Sequence, residues 1–173
     1  MKSTSQSMIR WVSRTAVIFA LTLVIQMLGL PQLITGPLVN AFLLLATMFV
    51  GVSSGIIIGL FTPWVAFSRG ILPAPLGPMI PFIMLGNATF VIVFFLITQR
   101  RENNIGFMGL GIVIGSIAKY FILSQSVAFL VEVAPPIAKA MQLPQLITAL
   151  GGGAIAIIIK QALIRTNFFK SRL

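Results

Sequence analysis

From Leu33 to Phe67 the chain is almost wholly apolar and carries no charged residue. A soluble helix needs a polar face, and a half-buried strand alternates apolar with polar residues, so neither accommodates such a block. At about 35 residues it is too long for one membrane-crossing helix, which takes roughly 20. Gly51, Ser53, Ser54 and Gly55 interrupt it near the middle. The block therefore reads as two spans, residues 34–50 and 53–67, joined by a tight turn. Gly36-Pro37 is read as a helix start, because proline is tolerated in a first turn.

The rest of the chain follows the same pattern. Of 173 residues, 58% are apolar and 8% charged, against about a quarter charged in soluble domains. A span with its share of loop takes roughly 25–30 residues, so about six spans fit. The first is read over residues 11–30 as a retained span, since its apolar stretch is too long for a signal peptide and Pro31-Gln32 follows in place of a small-x-small cleavage site. The segment from Arg69 to Pro78, rich in proline and glycine, predicts a loop of fixed shape without regular helix. Spans four to six are read over residues 80–98, 105–124 and 144–164. A long connection over residues 126–143, with room for a short helix, precedes the last.

The fold expected is thus an all-α integral membrane bundle of six helices, a single domain over 1–173. The cations set its orientation. With both termini inside, the inner side holds Lys2, Arg10, Arg14, Arg100, Arg101, Lys160, Arg165, Lys170 and Arg172, whereas the outer side holds Arg69 and Lys139. Lys160 is expected to snorkel to the inner surface. This asymmetry predicts N-in and C-in. The formal charge of +10 is then a matter of orientation and anionic lipid rather than of nucleic acid.

Several chemistries are absent. The chain has no cysteine and no histidine, which excludes disulfides, the usual zinc sites and histidine-based triads. Its carboxylate side chains are Glu102 and Glu132, and neither falls in a span, so an intramembrane proton or sodium relay lacks its usual groups. No phosphate-binding glycine loop provides for ATP, and no two-fold internal repeat of the secondary-transporter kind is evident.

Polar residues inside spans are costly and usually face a cavity or a partner. Gln26, Asn40, Asn87 and Lys119, with the triplet Gly151-Gly152-Gly153, fall at similar depth, roughly 6–11 Å below the outer surface by helix rise. They predict a solute pocket open to the outside and roofed by the two long loops. Trp64, Phe67 and Tyr120 are candidate aromatic walls, and Arg69 is a candidate outer cation. The alternatives are that these groups only hold helices together, that Lys119 snorkels outward, and that the glycines only permit close packing. Small residues four apart recur at Ala16 and Ala20, at Gly51, Gly55 and Gly59, and at Gly111 and Gly115. Internal packing is the favoured reading for the glycines; the alanines are candidates for docking a partner.

The blocks Thr35-Gly-Pro-Leu-Val-Asn40 and Gly59-x-x-Thr62-Pro63 through Pro78-x-x-Pro81-Phe82-x-x-x-Gly86-Asn87, with Ala16-x-x-x-Ala20, resemble the substrate-binding S components of energy-coupling factor transporters. The resemblance covers most of the chain and is nearest to the cobalamin-specific S components. It implies a binding subunit in the cell membrane of a prokaryote that captures a vitamin from outside. It implies docking through Ala16 and Ala20 onto a transmembrane coupling protein driven by two cytoplasmic ATPases, which use ATP and magnesium. The S component would carry no cofactor and no catalytic residue of its own, and would topple to carry its ligand inward, the two long loops closing over it. Pantothenate, its carboxylate facing Lys119 or Arg69, is the rival ligand, with riboflavin or a pyrimidine precursor behind it. Outside the family, the alternatives are an intramembrane enzyme using Lys119 or Tyr120 as base, and an assembly subunit that binds nothing.

Overall fold

The computed structural model describes residues 4–166. Lys2, Lys170 and Arg172, used above for orientation, lie outside the described residues. The described chain is all helix: α1 (Thr4–Met27), α2 (Gln32–Phe49), α3 (Val52–Ser68), a 3-10 turn (Ala74–Met79), α4 (Ile80–Thr98), α5 (Ile105–Gln125), a π turn (Ser126–Leu130), α6 (Pro135–Ala140) and α7 (Leu143–Arg165). Five helical runs are long and apolar enough to cross a membrane. α3, also apolar, has 17 residues, at the lower edge of the range of about 17–25.

The boundaries of α3, α4, α5 and α7 lie close to the expected spans, and three differences have physical causes. α1 starts at Thr4 rather than at residue 11, because Ser and Gln continue a helix as well as apolar residues do. Pro31, not Gly36-Pro37, sets the start of α2, so Pro37 lies inside the helix. The segment after α3, expected to lack regular structure, ends in the 3-10 turn over Ala74–Met79. There Pro73 precedes the first residue and proline's fixed φ suits the tight geometry. Asn104 caps α5 by accepting a hydrogen bond from the Phe107 N–H at 3.2 Å.

α2 is the central helix and touches α1, α3, α4 and α7. One face gives Leu44 and Leu45 to a core with Phe90, Phe94, Met108, Ile112, Ala149 and Ala156. The other gives Leu43 and Ala46 to a core with Ile58 and Val91. Close approach depends on glycine, as internal packing requires. A Cβ at Gly115 would stand 2.9 Å from Phe90 Cδ2, and one at Gly111 would stand 3.1 Å from Phe94 Cδ2. Gly51 serves differently: its φ of 127° turns the chain between α2 and α3.

α1 lies at the edge, packed on α2 and α3. Its inward stripe contains Thr15, whose hydroxyl donates to Ser54 Oγ at 3.0 Å, and the fully buried Thr22. Ala16 and Ala20 are exposed on the outward side. They hold nothing inside this bundle.

Candidate binding site at the Lys119 cluster

The two long connections meet at one end of the bundle. Leu76 and Met79 from the first, Met141 from the second and Leu123 from α5 form a buried apolar cluster. Phe82, Ile83, Val127 and Val131 pack around it. Both connections thus contribute to one roof. Phe67 supports it, because its ring packs against Gly77, where a Cβ would stand 3.0 Å from Cζ.

One turn below Leu123, Lys119 crosses the bundle beneath this roof. Its stem lies on Gly86, where a Cβ would meet Lys119 Cγ at 3.3 Å and Leu123 Cγ at 3.6 Å. Its amine donates to Asn40 Oδ1 on α2 and to Asn87 Oδ1 on α4, both at 2.7 Å. The face of Phe90 is 5.9 Å away. All three polar residues are buried, with Lys119 3% exposed. Side chains from three helices, separated by up to 79 residues, therefore converge on one nitrogen.

Each amide is oriented by a second bond. Asn40 Nδ2 donates to the Gly36 carbonyl at 2.9 Å. Asn87 Nδ2 donates to the Gly59 carbonyl on α3 at 3.0 Å. A lysine amine only donates here, so both amides must turn oxygen toward it and N–H toward the backbone. The Gly59 carbonyl is open to Asn87 because its usual donor, four residues on, is Pro63. The sequence reading missed this link. Its signal was present as a proline four residues after a glycine in an apolar helix.

The other candidates sort around this cluster. Gly152 lies against it as a packing residue: a Cβ there would stand 2.6 Å from Asn40 Cβ and 2.9 Å from the Ala41 N. Tyr120 is half-buried. Trp64 is 56% exposed on the outside of α3, so it does not form the expected wall. Arg69 is exposed beyond the end of α3. Gln26 falls in the last turn of α1, nearer the helix end than expected; its Oε1 is shielded and has no hydrogen-bond partner. The expected five-helix layer is thus a three-helix cluster with Gly152 beside it. Nor is it open, because the roof and the mutual hydrogen bonds close it in this conformation. Lys160, expected to snorkel to the inner surface, lies at the end of the bundle away from the roof, where its amine reaches the turn between α4 and α5 and donates to the Glu102 backbone carbonyl.

A buried amine surrounded by oriented amides can take a hydrogen-bond acceptor of a ligand in place of either asparagine. In its charged form it has no counter-ion, since among the described residues no carboxylate pairs with it. The chain matches no protein-family model, no curated protein and no solved structure.

Proposed function

We propose that the chain is a solute-binding subunit of a multi-pass membrane transporter, of the energy-coupling factor type, and not an enzyme. On this reading all six long helices cross the cell membrane, both termini lie inside and the roof faces out. The observation that carries it is the convergence of Asn40, Asn87 and Lys119 beneath that roof. A buried cluster of this cost in an otherwise apolar bundle favours a ligand over simple helix adhesion. The ligand is a vitamin, with cobalamin preferred from the resemblance in the sequence blocks. A transmembrane coupling protein and two ATPases supply the work.

The lack of a counter-ion at Lys119 favours a second ligand class, a carboxylate vitamin such as pantothenate. Equilibrium binding of labelled cobalamin, pantothenate and riboflavin to the purified chain tests the proposal. Saturable binding of one of them is expected. Binding of none leaves the cluster as helix adhesive in an assembly subunit.

A further inference from the structure

Ser116 on α5 is wholly buried, and its Oγ has no hydrogen-bond partner in the protein. Among the described residues the other buried hydroxyls are satisfied. Thr22, Thr47, Thr62, Thr98 and Ser126 each donate to the carbonyl four residues earlier in the chain. Thr15 donates to Ser54, and Thr148 to the Gln145 carbonyl. Ser116 makes no such bond to Ile112, so its hydroxyl is left for a group from outside α5. A buried hydroxyl without a partner is costly, and a helical serine has a ready way to avoid that cost.

Position gives this hydroxyl a role. Met108, Ile112, Ser116, Lys119 and Leu123 are all buried and recur three or four residues apart, on one face of α5. Ser116 is thus one turn below Lys119, on the side away from the roof. Ile112, a turn lower again, packs on Gly153 of α7, and Gly152 beside it packs on Asn40 of α2. Ser116 therefore stands where α2, α5 and α7 meet, under the Lys119 cluster. The Lys119 amine gives two of its three N–H groups to Asn40 and Asn87, and no protein acceptor takes the third. Two buried donors on one helix face, an N–H and an O–H a turn apart, lack acceptors.

We infer that Ser116 is a ligand contact, and that Lys119 and Ser116 together take the two oxygens of a carboxylate on the solute. This rests on the reading that the Lys119 cluster binds a solute, and narrows it to one class. A carboxylate supplies the counter-ion that Lys119 lacks and one acceptor for each donor. The rest of the solute lies toward the roof, whose Leu123 is seven residues, roughly 10 Å, above Ser116. Cobalamin and riboflavin offer carbonyls to this pair but no carboxylate.

The test is equilibrium binding to the purified full chain, with acids each paired with a neutral analogue: pantothenate with pantothenol, nicotinate with nicotinamide, biotin with biotinamide. One acid should bind saturably, and its analogue roughly tenfold more weakly or worse, the size of a lost charge-assisted hydrogen bond. Ser116→Ala should weaken the acid by a similar factor and narrow its advantage over the analogue. Thermal unfolding of Ser116→Ala should be unchanged or slightly raised, because the variant removes an unpartnered polar group. Equal binding of the acid by wild type and Ser116→Ala would overturn the inference and leave the solute-binding reading standing. So would saturable binding of cobalamin or riboflavin with none of the acids bound. A lowered unfolding temperature in Ser116→Ala, or its failure to fold, would show that the hydroxyl is satisfied within the fold and would also overturn it. Binding of no vitamin at all would remove the solute-binding reading itself, and this inference with it.

Discussion

Asn87 donates to the Gly59 carbonyl at 3.0 Å, the carbonyl that Pro63 leaves without its helical partner. One bond therefore repairs a proline defect in α3 and turns Asn87 Oδ1 toward Lys119. Packing and site are linked here: α3 approaches α4 at Gly59, where a Cβ would stand 3.1 Å from Asn87 Cβ. Asn87→Ala should destabilise the fold by about 1–3 kcal/mol, because it orphans two buried groups together. Pro63→Ala restores a backbone N–H for Gly59 and should recover part of that loss in the double variant. Thermal unfolding in detergent measures the cycle. Strictly additive effects would mean that the proline and the asparagine do not share the carbonyl.

Lys119→Met removes the amine and leaves both asparagine oxygens in an apolar site. If the ligand is a carboxylate vitamin, affinity should fall about 10- to 100-fold, the worth of a lost charge-assisted hydrogen bond. If it is a corrinoid, held largely by apolar area, affinity should change little. Isothermal titration separates the two. An unchanged affinity for a carboxylate vitamin would remove Lys119 from the ligand's environment.

The glycine triplet of α7 gives a graded set. A Cβ at Gly151 would meet Pro37 at 3.7 Å, an ordinary contact, so Gly151→Ala should be neutral or slightly stabilising. At Gly152 the new atom would meet the Ala41 N at 2.9 Å, and backbone cannot step aside. Gly152→Ala should cost about 1–3 kcal/mol by forcing α7 from α2. Because Asn40 is the neighbouring residue, the same substitution should weaken ligand binding, whereas Gly151→Ala should not. Unfolding and binding measured on both variants check the order.

Much of this was legible in the sequence. Apolar runs ended by Gly51, by Arg69 or by the turn at Arg100 marked the ends of α2, α3 and α4, because a span and its breaks differ sharply in composition, whereas the starts of α1 and α2 were misplaced. Asn40, Asn87 and Lys119 stood out because polar groups in such runs are few. Which of the polar groups meet was not legible. Depth along an axis is a matter of counting, but azimuth depends on how each helix rotates against its neighbours. Trp64 lies on the outside of α3 for that reason, whereas Gln26 falls in the last turn of α1, nearer the helix end than counting placed it. That Lys160 reaches toward its helix end was legible by counting, but the carbonyl that receives it, that of Glu102 in another turn, was not.

Ala16 and Ala20 face outward from α1, while Thr15 and Thr22 face the bundle. Replacing both alanines with leucine should therefore leave unfolding within about 0.5 kcal/mol of wild type, as for sites free of internal contacts. On the transporter reading, ligand binding by the isolated chain should also be unchanged, while uptake by the assembled complex should be lost. Retained uptake would show that this face docks nothing essential.

The absence of native cysteine allows orientation to be read directly, because any thiol introduced is the sole one. Ser68 and Asn103 are both exposed and sit near opposite ends of the bundle, Ser68 beside the roof connection and Asn103 in the turn between α4 and α5. With both termini inside, a membrane-impermeant maleimide applied to intact cells should label Ser68→Cys and spare Asn103→Cys until the cells are opened. The reverse pattern would invert the bundle. The Lys119 cluster would then lie toward the cytoplasm, and capture of a nutrient from outside would no longer be a possible role for it. Labelling of both in intact cells would mean that the helices between them do not carry the chain across the bilayer, and the count of six crossings would fail at α4.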